Sequence, residues 1–457
     1  MATPLNLISS FTISPRAENE IVDTRTISQI VYSCLITLIL CMSYCIRPNM
    51  SRRNASSWTF LKRKINIAFW LIISPELIIS WALNQWYEGN KFAKKYSARG
   101  WTPAHGQFVV MGGLLLYRDD QPRQVLSPEK FASLLENGCI EFPHISEQDI
   151  KERGRSHPLL AFLAIIQVIW FIVQFITRLV QGYAVAQLEM ATLALIVVNG
   201  LLLCVWWNKP LDTHDPIRID LLRLPPPTPP NLPNPEDTSA GIKWDFAREK
   251  RVSKRIKAAF RSEDQPPLTS DTFFRRLFKS LVWAPLDFAE KVFTDYGELF
   301  LRLDTEKVPE GDTEIPLFYA PDTTDNLGPF LFATENILGS IFAVTHVSLW
   351  FAHFPTGRDR MVWRFCAIIT SGLPLLFLFG IGLLLGVYVI SLFFTNRWTD
   401  IMLKIMQGVA IVVVMLGFPT LLAARMALLV EAFICLGSVA PSVLWAVPWT
   451  NYIPHFS

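Results

Sequence analysis

One acidic residue, Glu76, lies in the middle of an apolar stretch that covers residues 65–87. A carboxylate at the depth of a bilayer is costly to insert, so such residues usually face the interior of a helix bundle and have a function. The preceding Pro75 donates no backbone hydrogen bond, which leaves the carbonyl of Leu71 without its helical partner. The motif Ser74-Pro75-Glu76 therefore predicts a polar centre inside a membrane protein, where a carboxyl group can donate or accept a proton.

Arg425 is the other charge that lies well inside an apolar stretch, and it is the natural partner for Glu76. An ion pair between the two has two interpretations. It is either a clamp that holds two helices together or a working pair whose carboxyl group exchanges protons. The sequence leaves both interpretations open.

Arg178 and Glu189 flank a short connection, residues 179–188, between two apolar stretches. Two helices joined by a short loop pack antiparallel, which places both side chains at one face of the membrane. We expect an interfacial salt bridge that fixes this hairpin rather than a catalytic pair.

The histidines do not form a recognisable metal motif. His346 and His353 are seven residues apart and share one helix face, but a catalytic zinc usually needs three protein ligands. The sequence lacks HExxH, the phosphate-binding GxxxxGK[ST] loop and the G-x-S-x-G nucleophile elbow. We therefore expect no metal and no cofactor. We interpret His346 as a buried hydrogen-bonding residue, and a role as acid or base is its alternative.

Long apolar helices must position these residues. Of the 457 residues, 51% are hydrophobic and 18% are charged, against roughly 25% charged in soluble domains. Length and apolarity predict an all-α integral membrane protein, a bundle of about seven transmembrane helices with two long loops that carry amphipathic helices. The predicted spans are 27–46, 65–87, 159–178, 187–207, 331–352, 365–394 and 408–431.

These spans divide the chain into four parts. The parts are a polar N-terminal segment (1–26), a first membrane region (27–207) that contains loop 88–157, a long loop (208–330), and a second membrane region with the C-terminal tail (331–457). Within loop 88–157, the apolar run from Phe108 to Tyr117 is too short to span a bilayer. It predicts a re-entrant turn or a packed strand.

The long loop contains a proline-rich linker at 225–235 and then a basic amphipathic segment at 244–261. The linker favours extended structure. The basic segment is typical of a helix that binds anionic lipid headgroups, and the alternative is a solvated helix packed on the protein itself. We expect no nucleic acid partner, because the net charge is only +3 and the basic residues lie in local clusters.

Two further patterns concern packing and orientation. Gly382 and Gly386 form a GxxxG motif, which allows close helix packing or self-association. Six basic residues between Arg47 and Lys64 indicate a cytoplasmic loop between the first two spans, with the N-terminus outside. With seven spans this orientation puts both long loops outside, where the basic segment at 244–261 fits poorly.

Seven segments follow one another in a characteristic order. They are SPELIISWA at 74–82, WTPAHGQFVVMGG at 101–113, QVIWFIVQFITR at 167–178, QLEMATLA at 187–194, WWNKPLD at 206–212, FPTGRDRMVWR at 354–364 and WTNYIPHF at 449–456. Together they resemble a large family of fungal multi-pass membrane proteins over nearly the whole chain. The resemblance implies a fungal integral membrane protein, associated at most weakly with secondary metabolism. It implies no catalytic residues.

Three functions are compatible with these features. A binding, sensing or accessory protein would use a polar pocket around Glu76 without turnover. An enzyme would act on a lipophilic substrate with Glu76 or His346 as acid or base, and a transporter would use Glu76 and Arg425 as a coupling pair. The sequence lacks the motifs an enzyme would need and the internal repeats common in transporters. We therefore expect a non-enzymatic membrane protein.

Overall fold

The structure, a computed structural model, describes residues 24–52, 55–154, 158–213, 215–222, 311–321, 327–393 and 397–447. The predicted basic segment at 244–261, nearly all of the N-terminal segment 1–26 and the motif at 449–456 lie outside these residues.

The described residues form twelve α-helices and three strands. In chain order they are α1 (Ile27–Cys45), α2 (Ser57–Ile73), α3 (Pro75–Lys95), α4 (Pro103–Val110), β1 (Leu114–Arg118), β2 (Gln121–Val125), α5 (Pro128–Glu136), α6 (Glu147–Arg153), α7 (Pro158–Val180), α8 (Gln187–Val205), β3 (Ile217–Asp220), α9 (Leu327–Val347), α10 (Gly357–Phe393), α11 (Arg397–Ile434) and α12 (Pro441–Leu444).

Six segments of this part of the chain are long and apolar enough to cross a membrane. They are α1, α7, α8, α9, residues Gly357–Gly380 of α10, and Leu416–Ser438, which includes the end of α11. The count becomes seven only if α2 and α3 are taken together as one broken span. The prediction of a continuous span at 65–87 is wrong, because this stretch consists of parts of two helices that are bent by 119° relative to each other.

The bend follows from the dipeptide Ser74-Pro75. A proline disfavours helical backbone angles at the preceding residue, and Ser74 has φ −141° and ψ 72°. The amide of Ser74 still donates to the carbonyl of Trp70 at 2.7 Å, which ends α2. Pro75 then begins α3 as its first residue, where a helix needs no amide donor. The proline therefore marks a new helix N-terminus rather than a kink inside a span.

The long helices pack around α3 and α9. Helix α3 packs against α8 and α9, the helices α9, α10 and α11 pack in sequence, and α1 packs against α7 and α8. Three buried tryptophans, Trp70, Trp81 and Trp206, fill the core between α2, α3 and α8. Their rings contribute large apolar areas, which fix the relative positions of these helices.

A small module with a β-sheet is built on the C-terminal half of α3. We call residues 88–154 and 215–222 the sheet module. Its strand order is β2-β1-β3, in which β1 is antiparallel to β2 and parallel to β3. The sheet corrects the all-α prediction, and the run from Phe108 to Tyr117 forms the end of α4 and the packed strand β1. Because β3 comes from the start of the long loop (208–330) and pairs with β1 of loop 88–157, the two predicted loops are joined.

Candidate functional site at the helix break

The charge pair expected from the sequence lies at the break between α2 and α3, which we call the tip (residues 73–76). Arg425 of α11 donates through Nη1 to the carbonyl of Ile73 at 3.0 Å and to Ser74 Oγ at 2.9 Å. The same nitrogen donates to Glu76 Oε1. Glu76 is 7% exposed and Arg425 is 6% exposed. The structure thus brings the two residues together, and their role in function stays a prediction.

The two charges also match the ends of the helices that they touch. Ile73 is the last residue of α2, where unpaired carbonyls give the helix end a partial negative charge. Glu76 lies in the first turn of α3, where free amides give a partial positive charge. Arg425 therefore compensates the end of α2 and Glu76 the start of α3, so the pair stabilises the bend itself.

A small cavity lies beside this pair. Its volume is about 40 Å³, and its wall includes Arg425, His346, Phe342 and Trp363. Among the described residues, Arg425 Nε and Nη2 and Glu76 Oε2 are buried without a hydrogen-bond partner. The wall is mostly apolar, with Arg425 as its charged residue, and a cavity of this size has room for roughly one or two water molecules. Gly339 closes the centre from α9, because a Cβ there would lie 3.4 Å from Arg425 Nη2.

The two histidines serve packing and backbone contacts. The ring of His346 packs against Phe342 and Trp363, with centroid distances of 5.4 and 5.9 Å. Its carbonyl accepts from Trp363 Nε1 at 3.0 Å, while the carbonyl of His353 accepts from Gln187 Nε2 at 3.0 Å. Within the residues that the structure describes, no group of three or more His, Cys, Asp or Glu side chains could hold a metal ion.

At one end of the bundle, Glu189 pairs with Arg25 rather than with Arg178. Arg25 donates from Nη1 and Nη2 to the two carboxylate oxygens at 2.6 and 2.9 Å. Arg178 is 2% exposed and is held by backbone carbonyls, those of Ala184, Ser442, Val443 and Trp445. The expected direct salt bridge between Arg178 and Glu189 is therefore corrected. The sequence interpretation missed Arg25 because it belongs to the segment 1–26 that precedes the first span.

A second unanticipated charge is Lys209, at the opposite end of the bundle. Its Nζ donates to Gln85 Oε1 at 2.9 Å and to Asn49 Oδ1 at 3.1 Å, and it lies 4.5 Å from the centroid of the Trp206 ring. Burial away from water, together with the positive charge of Arg47, lowers the pKa of Lys209 well below its usual value. Lys209 belongs to the motif WWNKPLD, but its burial depends on partners more than 100 residues away.

Asn49 connects the outer parts of α2 and α3. Arg63 Nη1 donates to the carbonyl of Asn49 at 3.0 Å, and Gln85 Nε2 donates to Asn49 Oδ1 at 2.9 Å. Arg63 lies ten residues before Ile73 and Gln85 lies ten residues after Pro75, so each is about 15 Å along its helix from the break. The two helices therefore fold back towards the same end of the bundle, with the tip at the far end of the pair.

The GxxxG motif lies on an open part of α10. Gly382 and Gly386 are exposed, and a Cβ at either would meet no described atom within 4 Å. Self-association through these residues stays a prediction.

Comparison with other proteins identifies a family. No curated protein and no solved structure matches the chain. A family of unknown function, DUF8562, matches residues 14–223 and 332–456. These ranges contain the tip, Arg425, Arg25, Arg178 and Lys209 and cover most of the sequence, whereas the proline-rich and basic part of the long loop lies between them. The chain is a member of the family of unknown function DUF8562.

Proposed function

We propose that the protein is a multi-pass integral membrane protein with a non-enzymatic binding, sensing or accessory role. The six long apolar helices support membrane insertion. Helix α7 supports it further, because large apolar side chains such as Leu159, Phe162 and Val180 are exposed on its surface. A contiguous apolar surface of this kind is rare on soluble proteins and suits contact with lipid.

In this proposal α2 and α3 form a re-entrant pair that enters and leaves the bilayer at one face. Asn49 supports this arrangement, because it binds both Arg63 of α2 and Gln85 of α3. Non-helical backbone at membrane depth is tolerated where protein surrounds it. The tip meets this condition, since Arg425 binds the carbonyl of Ile73 there.

The re-entrant pair removes the conflict in orientation. With six spans, the basic residues from Arg47 to Lys64 share one face with the sheet module. The basic segment at 244–261 lies in the chain between Leu222 and Gly311. The amide of Leu222 donates to the carbonyl of Cys139, and the amide of Gly311 donates to Gln124 Oε1, so both residues border the same face. An excess of basic residues favours the cytoplasm. We assign this face to the cytoplasm, where anionic headgroups would attract the basic segment.

The observation that carries the non-enzymatic assignment is the size of the space at the centre. Pockets that bind small-molecule ligands usually measure about 300–1,000 Å³, whereas the cavity beside Arg425 measures about 40 Å³. A lipophilic substrate does not fit there while the ion pair is formed. Glu76 and Arg425 then act as a clamp for the re-entrant tip.

Metabolite profiling of a deletion strain tests this proposal. We expect the chemical profile of cells and medium to match that of the parent strain. Loss of a product with accumulation of a related precursor would contradict the proposal in favour of an enzyme. Accumulation of an unchanged end product inside the cells would contradict it in favour of a transporter. Re-expression of the chain in the deletion strain is the control for each change.

A further inference from the structure

A second space with polar groups in its wall lies away from the tip, between α1 and α7. This groove measures about 410 Å³, which is within the usual range for a ligand site. Its wall includes Gln29 and Ser33 from the side of α1, and Gln167, Gln174 and Arg178 from α7. It is ten times the volume of the cavity beside Arg425.

The groove opens to the outer surface of the helix bundle. Tyr32 and Trp170 line it and are 69% and 44% exposed. Apolar side chains on the same surface, such as Ile39, Ile166 and Ile169, are also exposed. If the six helices span a bilayer, as proposed above, this surface meets the lipid acyl chains. A ligand of the groove therefore enters from the membrane.

The polar groups of the groove change in character with depth. Arg25 and Arg178 lie at its outer end, near the end of α7. Gln174 lies about 6 Å and Gln167 about 16 Å further along the helix. Gln167 donates to Thr37 Oγ1 at 2.9 Å. The groove thus offers cationic groups near the membrane surface and amide groups below them.

The outer end carries an excess positive charge. The bidentate contact between Arg25 and Glu189 is electrically neutral. Arg178 binds backbone carbonyls and lies over the ring of Tyr183, and no carboxylate of the described residues forms a salt bridge with it. Its Nε is buried without a hydrogen-bond partner there. Within the part of the chain that the structure describes, one positive charge therefore remains at this end, and a charge-assisted contact with an anion is stronger than one with a neutral group.

We propose that this groove binds a membrane phospholipid with an anionic headgroup. The phosphate is attracted to the outer end by Arg178 and Arg25. The ester carbonyls accept hydrogen bonds from the amide of Gln174, and the acyl chains lie along the apolar surface beside Trp170. The inference rests on the proposed membrane insertion of the helices, and it names a ligand site that the role at the tip does not require.

Native mass spectrometry of the full chain in mild detergent tests this site. Phosphatidylglycerol and phosphatidylcholine with the same acyl chains are added separately, and oleate is added as a third arm. We expect phosphatidylglycerol to occupy one site with about tenfold preference over phosphatidylcholine. Phosphatidylglycerol has a net negative charge, whereas the phosphate charge of phosphatidylcholine is balanced within its own headgroup. Equal occupancy by the two phospholipids, or preferential occupancy by oleate, would overturn the proposal.

A pair of matched variants locates the binding. Gln174→Trp fills the groove and is expected to abolish the preference for phosphatidylglycerol. Ile176→Trp places the same side chain on the exposed side of α7 and is expected to retain it. Retention in both variants, with normal melting temperatures, would place the lipid elsewhere and contradict the assignment.

A photocrosslinking amino acid in place of Ser33 identifies what occupies the groove. An adduct with phosphatidylglycerol supports the proposal, whereas an adduct with the chain's own residues 448–457 overturns it. Lipid binding is read in detergent and the chemical role in cells, so failure of this proposal is distinct from failure of the proposed function.

Discussion

Arg425 stabilises the tip through more contacts than its ion pair with Glu76. Its Nη1 serves a carboxylate, a hydroxyl and a main-chain carbonyl at one place in the chain. Arginine suits this position because its guanidinium group stays charged and presents several donors in a fixed plane. The buried positive charge of Arg425 stabilises the tip only because Glu76 lies close to it. A buried charge without its partner is strongly destabilising.

Neutralising one residue of the pair should therefore lower the free energy of unfolding more than neutralising both. We expect Arg425→Met to lower the free energy of unfolding by about 3–5 kcal/mol, because Glu76 is left buried and unpaired. Adding Glu76→Gln to Arg425→Met should recover part of this loss. Exchanging the residues, Glu76→Arg with Arg425→Glu, should not, because each charge then meets the wrong helix end. Denaturant unfolding in mild detergent measures all three.

The exposed pair of Lys95 and Glu136 provides the control for this series. Their side chains are 52% and 68% exposed, so Lys95→Met should change stability by less than about 1 kcal/mol. Full recovery of stability in the exchanged pair would show that the helix ends do not contribute.

At the scale of elements, the break between α2 and α3 was partly readable from the sequence. Proline followed by an acid, as in Pro75-Glu76, is a signal for a helix N-terminus. The apolar residues on both sides obscured this signal. A hydropathy pattern shows how long an apolar stretch is, but not whether the helix changes direction within it. The fold-back depends on Asn49, which is distant in sequence from Gln85. Strand β3 was not predictable either, since four residues define it and its partner β1 lies about 100 residues earlier.

The contact between α3 and α4 requires glycine at Gly106. A Cβ at this residue would lie 1.9 Å from the carbonyl oxygen of Gly89. Gly106→Ala must therefore push α4 away from α3, with a cost of about 1–3 kcal/mol or more. The melting temperature of the purified protein in detergent measures the effect.

Gly200 of α8 is the matched control for this substitution. A Cβ at Gly200 would meet no described atom within 4 Å, so Gly200→Ala should be neutral or stabilising by up to about 1 kcal/mol through helix propensity. Equal melting temperatures for the two variants would show that the close approach at Gly106 is not needed.

At the scale of the whole molecule, the charged groups described above lie at three depths. Arg25, Arg178 and Glu189 lie at one end, Glu76 and Arg425 at the tip, and Lys209 at the other end. The sequence located Glu76 with Arg425 because each interrupts an apolar stretch. It did not locate Arg25 or Lys209, which lie outside the stretches. Arg25 is partly buried and Lys209 fully buried, in each case through contacts across the bundle. A charge within an apolar helix is visible locally, whereas a charge buried beside one is not.

The parity of membrane crossings decides between a re-entrant pair and a full span at α2 and α3. Arg52 precedes the pair and Asp120 follows it, and both are exposed. We expect Arg52→Cys and Asp120→Cys to be shielded together from an impermeant maleimide in intact cells, because the pair returns to the face at which it entered.

Phe351→Cys, between α9 and α10 and highly exposed, should react from outside. Labelling of the unmodified chain, whose Cys204 is exposed, gives the background. If Arg52→Cys and Asp120→Cys instead react from opposite sides, residues 57–95 cross the membrane once. The two long loops then lie on the opposite side from the basic residues between Arg47 and Lys64.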